Sequence, residues 1–284
     1  MGAEGLRHIL VPVDFSDLSA LGLRYADALA KCSGARLSVL FANPFQPPAY
    51  FTQSRIAELE KQFESARHDA GRYLSEFVAS TLPEHSRVST DVVEAMPVDA
   101  ILLESERLRP GMIVIGTHGR SGINRLMMGS VTERLIRLSR VPVLAVRGDL
   151  PPPGPVPIRE MLCPVNDTPF ARKALHYAVR MAACFGATLT VLHVEEPSGE
   201  HAIADLDAWI PATLRGACSL RAVRRQGEAA REVIAAASVQ GSDMLVLGAH
   251  HQRFFDTSTL GATTIRILRH TPCPVLAVFG ESET

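Results

Sequence analysis

The sequence predicts an α/β protein built from two tandem doubly wound parallel-sheet domains of five strands each. Two observations carry that prediction. Short apolar runs alternate with longer stretches of helical apolar spacing along the chain, and the second half of the chain repeats the first. Apolar strands separated by helices imply parallel pairing, with helices covering both faces of the sheet.

The repeat sets the organisation. Leu10-Val11-Pro12-Val13-Asp14 returns as Leu162-Cys163-Pro164-Val165-Asn166, an offset of 152 residues, and Cys32-Ser33-Gly34-Ala35 returns as Cys184-Phe185-Gly186-Ala187 at the same offset. Towards the ends, Gly116 pairs with Gly248, Gly129 with Gly261, and Pro142-Val143-Leu144-Ala145-Val146 with Pro274-Val275-Leu276-Ala277-Val278, now 132 apart. The second copy is therefore 20 residues shorter in its middle. Between the copies, Gly148-Asp149-Leu150-Pro151-Pro152-Pro153-Gly154-Pro155 reads as a stiff extended linker. The expected domains are residues 1–150 and 151–284.

In the first copy, strands are expected near 7–14, 36–42, 87–94, 111–116 and 142–147, with helices near 17–32, 52–80, 97–108 and 130–139. The long second helix shows its apolar side at Ile56, Leu59, Phe63, Ala70, Leu74 and Phe77 and follows a Pro-rich loop from Asn43 to Tyr50. Its counterpart in the second copy is a short segment around 202–210, cut by Pro211. The fourth strand is a continuous apolar run, Met112-Ile113-Val114-Ile115. The fourth helix has apolar spacing at Val131, Leu135 and Leu138, and Ser130 with Glu133 fits a capping box that would place Ser130 at its start.

Between that strand and that helix runs Gly116-Thr117-His118-Gly119-Arg120-Ser121-Gly122, ending in Met128-Gly129-Ser130. Glycines let backbone N–H groups approach an anion, and a helix start supplies unpaired donors and positive partial charge. The loop has neither the Lys-Ser/Thr of a Walker A motif nor G-x-G-x-x-G spacing. A tight connection without a ligand is the plainer alternative. In a doubly wound sheet a ligand sits beyond the carboxyl ends of the strands where strand order reverses, which points to Asp14 and Gly116.

The spacing G-x2-G-x9-G-[S/T], filled by Gly116, Gly119, Gly129 and Ser130, resembles the ATP-binding loop of universal stress proteins. With Val-Pro-Val-Asp at the first strand end, the resemblance covers both copies. It implies a Rossmann-like fold of the adenine nucleotide alpha hydrolase type. Carried over residue by residue, it implies that Pro12, Val13 and Ala42 line the base and that Asp14 accepts hydrogen bonds from ribose or adenine. Gly116, Gly119 and Arg120 would wrap the ribose and first phosphates. Gly129, Ser130, Val131 and Thr132 would hold the outer phosphates of ATP, with or without Mg2+. Asp14 could equally cap the following helix, and the two roles are compatible. His118 reads as a loop residue and Arg125, Arg134, Arg137 and Arg140 as a solvated face, with Arg125 the one that could reach a phosphate.

The second copy departs from this pattern at Asn166, which loses the charge of Asp14. It departs again at His251, where a loop glycine belongs, and at Ala262, which lacks the hydroxyl of Ser130. Its site is expected to be empty.

The loop comes with no Walker lysine, no second acidic magnesium motif and no water-activating residue. The expected function is thus an ATP-binding regulatory stress-response protein acting through conformation and an unknown protein partner. A nucleotide-independent interaction module and a weak ATP hydrolase remain the alternatives. An adenylating enzyme on a related fold is disfavoured, since Asp14-Phe15-Ser16-Asp17 carries neither Ser-Gly-Gly nor His-x-x-His.

A net charge of −1 gives no electrostatic basis for nucleic-acid binding. Five scattered cysteines without C-x-x-C argue against a disulfide framework or zinc site and for a reducing, cytoplasmic setting, with Cys32 and Cys184 as small core residues. No apolar window suits a membrane span. Family dimers pair their last strands, so the resemblance implies that Val143–Arg147 and Val275–Phe279 meet within one chain as a pseudo-dimer. A homodimer through another surface, the long helix included, stays open.

Overall fold

The structure is a computed structural model that describes residues 6–44, 53–82, 87–117, 128–148, 154–196, 216–249, 251–254 and 257–280, with the backbone course alone for 53–65, 251–254 and 257–259. In the first half, β1 (His8–Val13), α1 (Asp17–Ser33), β2 (Arg36–Ala42), α2 (Gln53–Thr81) and β3 (Val88–Val93) are followed by α3 (Pro97–Leu108), β4 (Met112–Gly116), α4 (Ser130–Leu138) and β5 (Val143–Val146). The second half runs β6 (Glu160–Val165), α5 (Pro169–Phe185), β7 (Thr188–Glu195), β8 (Ser219–Gln226), α6 (Ala229–Gln240) and β9 (Met244–Ala249). It ends with β10 (His251–Phe254), β11 (Thr257–Leu260), α7 (Ala262–His270) and β12 (Val275–Phe279).

Ten strands form one sheet in the order β3-β2-β1-β4-β5-β12-β9-β6-β7-β8, so each half is doubly wound and the two are joined at their last strands. Within this sheet the pairing inside each half is parallel. The seam is antiparallel, with Val275 opposite Ala145, Leu276 opposite Leu144 and Ala277 opposite Val143. Leu144 and Leu276 are repeat equivalents, so the local twofold passes through their pairing. Each half would otherwise end in an open edge of unpaired backbone groups, which the seam removes.

Side chains alternate between the two faces of the sheet and build two cores, each continuous across the seam. One face packs Ile9, Val11, Leu37, Val114, Leu144, Leu276 and Val246 against α1, α2 and α5. The other packs Leu10, Ile113, Ala145, Val275 and Leu245 against α3, α4, α6 and α7. The expected apolar side of α2 is seen at Leu74, which is fully buried, with Ala70 and Phe77 against the same core; the side chains of Ile56, Leu59 and Phe63 lie outside the described residues.

Polar contacts also cross between the halves. Arg147, at the end of β5, is buried and donates to the carbonyls of Arg269 (3.0 Å) and Thr271 (2.6 Å), closing the last turn of α7. Arg24 of α1 donates to Gly154 O at 2.6 Å, and Val156 and Ile158 beyond it are buried. The linker's exit is therefore packed down on the first half.

Two expectations are corrected. Cys32 and Cys184 are not core residues without a bond: they are joined to each other, Cα to Cα 5.7 Å, on half-buried and exposed positions near the ends of α1 and α5. Local spacing rules miss this pair because only the twofold brings residues 152 apart together. The capping box does not form either. Gly129 (φ −63°, ψ 149°) is the residue before the helix, Ser130 its first residue, and Glu133 turns outward to arginines. The halves also differ in a way the repeat did not indicate: where the first copy carries its glycine loop, the second folds as an antiparallel hairpin, His251 facing Leu260 and Phe254 facing Thr257.

Candidate functional site

β1 stands between β2 and β4, which lie on opposite sides of it, so strand order reverses there. At the carboxyl ends of β1, β2 and β4 the structure opens a cavity of about 280 Å³. Pro12, Val13, Asp14, Ala42, Gly116, Gly129, Ser130, Val131 and Thr132 all line it. Gly119 and Arg120, with His118 and Arg125, lie outside the described residues. The wall also includes Phe41, Pro97, Ile101 and Ile115 as apolar surface and Ser19 and Thr117 as polar neighbours. None of these six was singled out from sequence. Phe41, adjoining Ala42 at the strand end, had the clearest positional signal.

Asp14 has a defined local job. Its Oδ1 accepts from the backbone N–H of Ser16 (3.1 Å) and from the Ser16 hydroxyl (2.6 Å), and Ser16 in turn accepts from Ser19 N as the N-cap of α1. The cap of α1 is thus Ser16, oriented by Asp14, rather than Asp14 itself. The next residue, Phe15, sits at φ 65°, where a non-glycine residue is strained by on the order of 1 kcal/mol. Its ring packs on Phe41 (centroids 4.5 Å), Tyr73 (4.7 Å) and Phe77 (5.4 Å), contacts that offset the strain and brace the cavity wall against α2.

On the opposite wall, the N–H groups of Ser130, Val131 and Thr132 open α4, where no intrahelical acceptor exists for them. Gly129 N–H is already used on Thr117 O (2.6 Å). Thr132 is buried and its hydroxyl donates to Gly116 O (2.9 Å), tying the helix start to the end of β4. Gly116 is needed for packing: a Cβ there would lie 2.9 Å from Leu18 O in the first turn of α1. Gly248 repeats the constraint, with a Cβ 2.6 Å from Phe170 O. This pair of glycines is explained by helix-on-strand contact in both halves, whatever either half binds.

Glu133, one residue further along α4, ties this helix to the other half. It is held by Arg137 on its own helix and by Arg269 of α7 at 3.0 Å. Burial pushes its carboxyl up, but the hydrogen bonds from Arg269 and Arg137 outweigh that and hold it below the ordinary 4.5. A value depressed in the folded state means stability that is complete above pH 4.5 and lost as the pH drops through the folded value. Glu133→Gln is therefore expected to cost about 1 kcal/mol, the small figure proper to a partly exposed pair. In melting curves the gap to wild type should hold from pH 8 to 5 and shrink below 4.5. A gap independent of pH would remove the ion pair from the account.

In the second half, Asn166 repeats the turn of Asp14, accepting from the Thr168 hydroxyl (2.7 Å), and Thr168 caps α5. The position of Phe41 is taken by His193, buried, with Nδ1 3.0 Å from Val165 O. A carbonyl only accepts, so this nitrogen carries the proton. Among the described residues, no group of three or more His, Cys, Asp or Glu side chains is placed to hold a metal ion, and no helix is long and apolar enough to cross a membrane.

Fold and site together define a tandem doubly wound α/β protein with a helix-start cavity at the switch point of its first half. The universal stress protein family model matches residues 5–147 and 157–278, and the chain belongs to that family. A universal stress protein of Methanocaldococcus jannaschii is 29% identical over 151 residues, 51% of this chain and 85% of that protein. One from Mycolicibacterium smegmatis is 24% identical over 291 residues, covering 95% of this chain and 96% of its own. The crystal structure of a universal stress protein from Archaeoglobus fulgidus superimposes with a TM-score of 0.72 at 21% identity, covering 96% of this chain and 98% of that one.

Proposed function

We propose that the protein is an ATP-binding regulatory protein. It binds one adenine nucleotide in residues 1–150 and acts through conformation and partner contacts. The observation that carries this is the pairing, across one cavity, of the Asp14 carboxylate with the open first turn of α4. Pro12, Val13, Phe41 and Ala42 supply apolar wall for a base, and Asp14 accepts from ribose or adenine. The N–H groups of Ser130 to Thr132 and the Ser130 hydroxyl receive phosphate oxygens, with the helix dipole adding attraction. Asp14 is the sole carboxylate among the described lining residues, so Mg2+ would be carried chiefly by the phosphates. No described lining residue is a lysine, histidine or arginine poised for phosphoryl transfer. Binding rather than turnover follows, with at most slow hydrolysis.

Residues 151–284 form the half with the degenerate loop. Asn166, His193, Ala262 and the β10–β11 hairpin change the charge, the wall, the hydroxyl and the loop of the first-half cavity, so a stoichiometry of one is expected. Calorimetric titration of the full chain with ATP, together with mass spectrometry of ligand released on denaturation, tests both points. A stoichiometry of two would assign function to the second half. No binding of ATP, ADP or AMP in equilibrium dialysis would leave a nucleotide-independent interaction module.

A further inference from the structure

We infer that Cys32 and Cys184 form a reversible dithiol–disulfide site that latches the two halves together and answers to the thiol–disulfide balance around the protein. The two residues are repeat equivalents, 152 apart, and stand in the last turns of α1 and α5. These helices lie on the same face of the sheet and meet beside the twofold. Their Cα atoms are 5.7 Å apart, within the most populated range of protein disulfides. Cys32 is half-buried and Cys184 exposed, so an external thiol can reach the bond. Of the three remaining cysteines, Cys163 and Cys273 are buried and Cys218 is half-buried, and burial pushes all three thiols up, that of Cys273 to about 12.

A small cavity of about 70 Å³ beside the pair is lined by Leu29, Met112, Tyr177, Met181 and Phe185, with Arg180 as its charged member. Exposure of Cys184 keeps the bond open to exchange in both directions. In reduction, a thiolate of an external dithiol attacks Cys184 Sγ and the Sγ–Sγ bond breaks, its electron pair leaving on Cys32 Sγ, which takes up a proton. The second thiolate of the dithiol then attacks the mixed disulfide, forming a cyclic disulfide and releasing Cys184, which is protonated in turn. The protein gains two hydrogens and the dithiol loses two.

The latch closes a long loop of chain and joins helices whose other ends carry the Asp14–Ser16 and Asn166–Thr168 turns. The full chain is equilibrated in dithiothreitol buffers of graded reduced-to-oxidised ratio, then alkylated and digested. A Cys32–Cys184 cross-linked peptide should appear in the oxidised buffers and convert to two alkylated peptides in the reduced ones, without unfolding. Melting temperature should fall on reduction by on the order of 5–10 °C. Cys32→Ser and Cys184→Ser should each melt like reduced wild type and show no response. Separate alkylation of the two residues under every oxidising ratio would overturn the proposal. So would a bond that native protein keeps in fully reducing buffer, or a wild-type melting temperature indifferent to reduction.

Discussion

Replacing Asp14 by asparagine is expected to weaken ATP binding about 10–100-fold while leaving the melting temperature near wild type. The reasoning is that the second half already contains the substituted turn. Asn166 accepts from the Thr168 hydroxyl at 2.7 Å as Asp14 accepts from Ser16 at 2.6 Å, and α5 is capped as well as α1. The amide therefore keeps the cap and removes the charge that would face ribose or adenine. A hydrogen bond to a charged group is worth about 1.5–3 kcal/mol, which gives the stated range. Asp14→Ala would lose cap and ligand together and is the less informative variant. Gly129→Val is the companion test on the opposite wall. At φ −63° and ψ 149° a branched residue fits the backbone, so the helix start should survive while the side chain blocks the approach of a phosphate. Calorimetry on both variants decides: wild-type affinity in either one places the nucleotide elsewhere.

How much of this was legible in the sequence depends on the range of the interaction concerned. Strand and helix positions came through because apolar period and burial are local. Helix α3, expected near 97–108, spans Pro97–Leu108. The two strand ends beside the cavity, at Asp14 and Gly116, were legible from the order of elements alone. Roles were harder to read. Gly116 looked like a ligand-loop glycine, yet its Cβ space is taken by Leu18, and Gly248 shows the same constraint. Thr132 read only as one of the residues holding the outer phosphates, and its hydroxyl has a structural role on Gly116 O. Glu133 looked like half of a capping box, but its partner Arg269 lies 136 residues away, beyond any local pattern. The Cys32–Cys184 bond was hidden for the same reason, although the repeat offset contained the clue: equivalent residues beside a twofold meet.

Substitutions at Leu144 in the seam are expected to cost more stability than any at the cavity. Leu144 and Leu276 are fully buried, directly opposite each other across the antiparallel β5–β12 pairing, and belong to the same continuous core. A buried Leu→Ala change costs about 2–5 kcal/mol, the upper end applying where the surroundings cannot collapse into the space. Here the backbone is fixed on both sides by the ten-stranded sheet. Leu144→Ala should therefore lower the melting temperature by roughly 5–15 °C, using 2–4 °C per kcal/mol for a chain of this order of size. Leu144→Asp should do more: an unpaired carboxylate at the twofold would drive the halves apart and expose two sheet edges, so loss of compactness in small-angle scattering and aggregation should follow. Val239→Asp, on an exposed face of α6, is the control and should leave stability unchanged. Because Leu144 and Leu276 touch one partner set, their alanine variants should couple by about 0.5–3 kcal/mol in a double-mutant cycle. Additive effects, or a Leu144→Asp chain that remains compact with wild-type melting, would mean that the halves are held by the Arg147 and Glu133 contacts rather than by the strand seam.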